Sequence, residues 1–238
     1  MNTIGDIVTA ASILLRDQNF EHFSADIMYS FANAGSREIA RRTHCLKIET
    51  GTLVNNLVAD VQKQSLNSLI YDTTVGDIVT LGIFDVSVGN TTDGTLKTIP
   101  YKSMADLNRD RPSWRNWDSG TPRYWCDAPD NSIYLMPAPS STFISEEGLY
   151  IVYSRLPINT FSSSDPNDVP EISEKAWDAL VTYITMMGKS EDREFSSFDR
   201  LFQVWQSSLQ YIKSEPYVIV RGRVGSLIPS PDIVGVHY

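Results

Sequence analysis

Apolar residues near the start of the chain fall at helical spacing: Ile4, Ile7, Val8, Ala11, Leu14 and Leu15, with Thr3 placed to cap the first turn and Asp6 three residues on. A second helix is announced by Ser24 as N-cap and Asp26 in its first turn. Ile27, Met28, Phe31, Ala34 and Ile39 then share one face, and Arg37, Glu38, Arg41 and Arg42 lie elsewhere. Joined by the short "DQNFEHF", the two predict a helical hairpin.

From about Cys45 the pattern changes to short β-branched and aromatic runs between turn residues: "LKIETG", "LIYDTTVGDIVTLGIFDVSVGNTTDGTLKTI", "SIYLMPAP" and "GLYIVYSRLP". "VGN" and "TDG" carry turn chemistry, and the alternation of Leu149, Ile151 and Tyr153 is that of a half-buried strand. In "GTPRYWCDAPDNSIYLMPAPSS", Gly120 and Pro122 shape a turn and Ile133, Tyr134 and Leu135 make a strand. Pro137 and Pro139 end that strand and remove edge donors.

Helices return after the polar loop "NTFSSSDPNDVPE". Trp177, Leu180, Val181, Ile184 and Met187 form a stripe that starts behind Ser173 as cap and is expected to end at Gly188. Phe195, Phe198, Phe202, Trp205, Leu209 and Ile212 follow at alternating spacings of three and four, a helix-packing seam that fits another helix or another subunit. Beyond Lys213, prolines and glycines break any long helix while apolar residues stay frequent.

The expected fold class is α+β: a helical bundle built from the N- and C-terminal helices, an inserted antiparallel β module, and an extended C-terminal tail. The boundaries expected are a discontinuous helical domain at 1–45 and 170–215, a β domain at 46–169, and a tail at 216–238.

Composition changes this picture in two respects. A formal net charge of -9 argues against a surface that wraps nucleic acid by neutralising phosphates. Two cysteines, Cys45 and Cys126, give neither a disulfide framework nor metal-ligand spacing, and both are expected to be reduced and buried. The N-terminus carries Asp6 and no basic leader, so a signal peptide is not expected, and no apolar run approaches the roughly 18 residues of a membrane span.

Candidate chemistry is sparse. His22, His44 and His237 belong to no metal or nucleophile signature, and neither "VGSLIPS" nor "TVGDIVTLG" forms a phosphate loop. Asp165, Asp168 and Glu171 suit turns and caps better than a calcium site. Trp114, Trp117, Tyr124 and Trp125, beside Asp110, Asp118 and Arg123, have the content of a sugar-binding or sugar-cleaving groove, so a carbohydrate-binding or hydrolysing β module with helical flanks is the alternative reading. The blander account is that these tryptophans pack over the face of a small sheet. No cofactor and no catalytic residue is expected.

Several segments, taken in order, carry a resemblance. "IGDIVTAASILLRDQNFEHFSADIMYSFANAGSREIARR" supplies two helices with an aromatic before a Ser cap. "SMADLNRDRPSWRNWDSGTPRYWCDAPDNSIYLMPAP" has an Asp-Leu step, a Pro-x-Trp, a Gly-x-Pro turn and a strand closing in Pro-x-Pro, and "LYIVYSRLP" and "DVPEISEKAWDALVTYITMMGKSED" give the next strand and the return helix. In this order they resemble the head-to-tail adaptor, or connector, proteins of tailed bacteriophages, particularly short-tailed phages; "VNNLVADVQKQSLNSLIYDTTVGDIVTLG" departs from the pattern. The resemblance implies a structural virion protein made in the host cytoplasm, not an enzyme. It implies a dodecameric ring at the head-to-tail junction, bound to the portal on one side and to tail or nozzle proteins on the other, with DNA passing through the lumen without sequence-specific binding and no membrane partner. An acidic lumen would limit adhesion of phosphates during packaging and ejection. Under the same reading the apolar tail is a candidate portal interface through Tyr217, Val218, Ile219, Arg221, Arg223, Leu227 and Ile228, the arginines meeting portal carboxylates; the alternative is that it folds back on its own subunit.

Overall fold

The computed structural model describes residues 3–50, 53–54, 56–70, 80–90, 94–128 and 130–214. It is a mixed α+β fold in which N- and C-terminal helices pack on one another and antiparallel strands lie between them in sequence. The described residues divide into two compact units, one made of 3–48, 70, 80–84 and 152–214, the other of those within 49–69 and 85–151.

In the first unit, α1 (Ile4–Leu15) begins with a capping box: the Thr3 hydroxyl accepts from the Asp6 amide and the Asp6 carboxylate accepts from the Thr3 amide. The next amides, of Ile4 and Gly5, donate to the carbonyls of Asp168 and Pro166, so the Asp-rich loop completes the helix start. α2 (Ala25–Thr43) is capped by Ser24, and the connection to it is held by Asp17, whose carboxylate accepts from the amides of Glu21, His22 and Phe23. Those bonds, Phe23's first, keep the Asp17 carboxyl below the usual range.

The face that α2 buries is rotated from the one expected. Met28, Tyr29, Ala32, Gly35, Ser36, Ile39 and Ala40 turn inward, whereas Ile27 and Ala34 are exposed, as is Leu14 on α1. The cause is close helix approach: a Cβ on Gly35 would lie 2.7 Å from Leu180 and from Tyr183, so α6 (Trp177–Glu191) crosses α2 on its small residues.

α6 also does not stop at Gly188. It runs on to Glu191, and Gly188 is buried inside it with the Leu15 methyls where a Cβ would stand, at 2.7 and 2.8 Å. The glycine serves packing rather than termination. A 3-10 turn over Glu174–Ala176 precedes α6, and Ser173 occupies its cap position without a side-chain bond. α7 (Phe195–Ser214) packs on α6 and α2, and one core holds residues from all four helices, including Ile7, Met28, Ile39, Leu180, Ile184 and Trp205.

The strands are β1 (Lys47–Glu49), β2 (Lys63–Ser65), β3 (Thr80–Asn90), β4 (Leu96–Thr98), β5 (Tyr124–Ala128), β6 (Ser132–Met136) and β7 (Glu147–Arg155). They form a four-stranded sheet in the order β1-β7-β3-β4 and a three-stranded sheet in the order β2-β6-β5. The turn around Asp130 and Asn131, both at positive φ, joins β5 to β6 in antiparallel register, Cys126 opposite Tyr134.

Within the second unit one stretch of chain serves both sheets. Leu96–Thr98 pairs with β3 and the Ile99 amide donates to Val86; then Trp125 donates to the Pro100 carbonyl and Lys102 to Trp125, on the free edge of β5. Gln64, almost fully buried on β2, splints the preceding loop by accepting from the Val58 amide and donating to the carbonyls of Val58 and Val61. Three short helices complete the described residues here: α3 (Leu66–Leu69), α4 (Met104–Asp110, capped by Ser103) and α5 (Ser141–Glu146, capped by Ser140). The sequence pattern predicts no helix over the stretch that holds α4.

Candidate functional site

α7 carries its aromatic positions in a graded way. Trp205 (1% exposed) and Leu209 are buried, Phe202 and Ile212 are partly buried against the core, Phe198 stacks on Phe202 with ring centroids 6.1 Å apart, and Phe195 is 65% exposed. Trp205 packs against Tyr183 and under the Arg42 guanidinium, 5.1 Å from its ring centroid, while Arg42 Nε donates to Glu38 at 2.6 Å. Arg42 and Arg41 hold the Glu38 carboxyl below its ordinary range. A cation stacked on an indole and a carboxylate behind it fix where α2 meets α7.

Gly120 and Pro122 lie on the stretch that pairs with Pro137 and Pro139 just beyond β6. Gly120 donates to the Ala138 carbonyl at 2.8 Å and accepts from Ser140, its backbone bridging Pro139; Pro122 is buried, and the Met136–Pro137 peptide is cis. β6 ends at Met136, directly before Pro137.

The aromatic and acidic residues of the sugar-groove reading are not assembled into one surface. Trp114 is fully buried with Leu107, Cys126 and Met136, its indole donating to Asn108, and Trp125 is buried against Tyr101. Trp117 and Tyr124 are partly buried around the same cluster, whereas Asp110 bonds Arg109 and Asp118 is exposed. These rings cover the face of a small sheet.

His44 closes α2 in the left-handed region, φ 53°, with Nδ1 2.9 Å from the Ser154 hydroxyl. Ser154 is fully buried. Burial, followed by the neighbouring charges of Lys213 and Lys47, holds the His44 imidazole below its ordinary pKa. Cys126 is buried and its thiol is pushed up to about 11 by desolvation; Cys45, expected to be buried, is half-buried at the surface of the helical core, and its thiol is also raised. Glu171 accepts from the amides of Ile158 and Asn159 and pairs with Arg155 at 2.7 Å, a loop-closing role. Among the described residues no group of three or more His, Cys, Asp or Glu is placed to hold a metal ion, and no helix is long and apolar enough to cross a membrane. Tyr217, Val218, Ile219, Arg221, Arg223, Leu227 and Ile228 lie outside the described residues.

A surface that periodicity in apolar residues does not reveal is the outer stripe of α2: Ile27, Ser30, Ala34, Arg37 and Arg41, all exposed at spacings of three and four. Its mixed chemistry hides it from an apolar count. The signal lay in the spacing alone.

Helices that close on one another from the two ends of the chain, with strands between them in sequence and with aromatics packed as cores, define an α+β protein. Residues 2–223 match the family model of the SU10 adaptor protein, and the chain belongs to that family of phage head-to-tail adaptors. Membership implies a structural, non-enzymatic role, a place in the virion, and virion partners such as the portal and tail. No curated protein sequence matches the chain.

Proposed function

We propose that copies of this chain close into a dodecameric ring that joins the portal at the capsid vertex to the tail or nozzle and lets DNA pass through its lumen. The observation that carries this reading is the adaptor-family match across residues 2–223. It is supported by a helical unit that leaves whole helix faces, on α2 and α7, turned to solvent. Side-by-side packing of such faces repeats around a closed symmetric ring. The net charge of -9 suits a channel along which phosphates slide without adhering. Tyr217 to Tyr238 is assigned to the portal, with Arg221 and Arg223 meeting carboxylates there.

Mass photometry of the protein alone and with its cognate portal tests the reading. A mass step of about twelve subunits on the portal ring is the expected result. Absence of any complex at micromolar concentration overturns it.

A further inference from the structure

The geometry points to a second, folded contact with the portal: the basic surface where α2 and α7 end, with Arg37, Arg41, Arg42 and Lys213 exposed on it, docks on a carboxylate-bearing face of the portal beside the seat of the tail. This rests on the reading that the tail binds the portal and adds the end of the helical unit to that interface.

The patch runs against the charge of the chain, which is -9 overall. Arg37, Arg41 and Arg42 stand exposed over the last two turns of α2, and Lys213 is exposed in the last turn of α7. These helix ends are neighbours. Arg42 lies over the Trp205 ring of α7, 5.1 Å from its centroid, and after burial the charges that act on His44, the residue closing α2, are those of Lys213 and Lys47. Lys47 joins the group from β1: its Nζ is 4.1 Å from the Phe84 ring centroid, and the His44 ring stands nearly perpendicular to the same ring, centroids 6.1 Å apart.

Glu38 is the carboxylate among the arginines, and it accepts from both Arg41 and Arg42. Two helix C-termini contribute about half a negative charge each, yet the four exposed cations still leave an excess of about two positive charges, to which Lys47 adds. Compensation of the helix dipoles accounts for Arg41, Arg42 and Lys213, each in a last turn; Arg37 and Lys47 lie outside those turns.

Chain length assigns the patch to the portal. α7 ends at Ser214 and Tyr217 follows three residues later, no more than about 11 Å away at full extension. A portal face that holds Tyr217 therefore comes about as near to Lys213 and its neighbours, a separation comparable to the Debye length of roughly 8 Å at physiological salt. Arg221 and Arg223 enter the same interface from the tail, so one acidic face meets cations from both sources.

A neutralised variant, Arg37→Gln with Arg41→Gln and Lys213→Gln, tests this and leaves Arg42 in place on Trp205 and Glu38. Full-length variant and wild type are titrated onto the cognate portal by mass photometry at about 0.1 M and about 0.5 M salt. The variant is expected to bind about fivefold or more weakly at the lower salt and to converge on wild type at the higher, because screening removes what the charges contribute. A charge-keeping variant, Arg37→Lys with Arg41→Lys and Lys213→Arg, is expected to bind as wild type does. Equal binding by the neutralised variant at both salts overturns the patch, and loss of binding on deleting 217–238 then leaves the tail reading standing. A charge-keeping variant as weak as the neutralised one also overturns it. Should the neutralised variant melt below wild type, the wild type alone decides: portal affinity that does not fall between the two salts sinks the proposal. Neutralisation that spares portal binding but breaks rings formed without portal, or releases a bound DNA duplex, assigns the patch to another partner and likewise overturns it. A wild type that binds no portal overturns both readings.

Discussion

Glu171 does its work through one carboxylate: one oxygen takes the amides of Ile158 and Asn159 and the other takes Arg155, both side chains being only about one-seventh exposed, at 13% and 14%. Removing it leaves a mostly buried guanidinium and two amides without their acceptor, so Glu171→Ala is expected to destabilise the protein by about 2–3 kcal/mol in chemical denaturation. His44 sets a pH dependence. Its folded pKa is depressed, so the unfolded chain binds the proton more readily, and the stability it contributes is present above about pH 6.5 and lost as pH falls through the depressed value. Denaturation midpoints of the wild type are expected to drop as pH falls below about 6.5, and His44→Asn, a residue that tolerates the left-handed backbone, is expected to flatten that part of the curve. With its thiol near 11, Cys126 is expected to resist alkylation at pH 8 until the protein is unfolded, read by the ratio of labelling rates with and without denaturant.

At the scale of elements, the long helices were legible because their caps are local: Thr3 with Asp6 and Ser24 announce α1 and α2 without reference to the rest of the chain. α4 and α5 were not, since elements of seven and six residues are too short for a periodic face to emerge. Gly188 shows a deeper limit. A glycine near the end of an apolar stripe reads as a terminator, but what it does depends on Leu15, which lies far away in sequence. Gly188→Val is accordingly expected to cost about 1–3 kcal/mol by overpacking, and the additional change Leu15→Ala to recover part of it, as measured by thermal melting. The graded seam of α7 gives a second contrast: Trp205→Ala is expected to cost about 3–5 kcal/mol, whereas Phe195→Ser at its exposed end stays within about 0.5 kcal/mol in the isolated protein.

For the whole molecule, the fold class was readable from the order of periods along the chain, helical, then alternating, then helical again. The interaction surfaces were harder. Apolar periodicity reports what faces a core, so it placed Ile27, Ala34 and Leu14 inward when all three face solvent, and it set Arg37 and Arg41 off that face without marking them as a surface of their own. Deleting 217–238 is expected to leave the melting curve of the remaining chain in place and to abolish the mass step on the portal ring. A truncated protein that still binds portal would reassign that contact to the folded residues.

The stretch from Leu96 to Lys102 has a kinetic consequence. Because the same few residues hold the end of β3 on one flank and β5 on the other, neither of these strands can peel away from the stretch without straining the other's hydrogen bonds. The amides of Ile99, Lys102 and Trp125 should then exchange with deuterium at one shared, slow rate, the clock of a single opening event rather than of two.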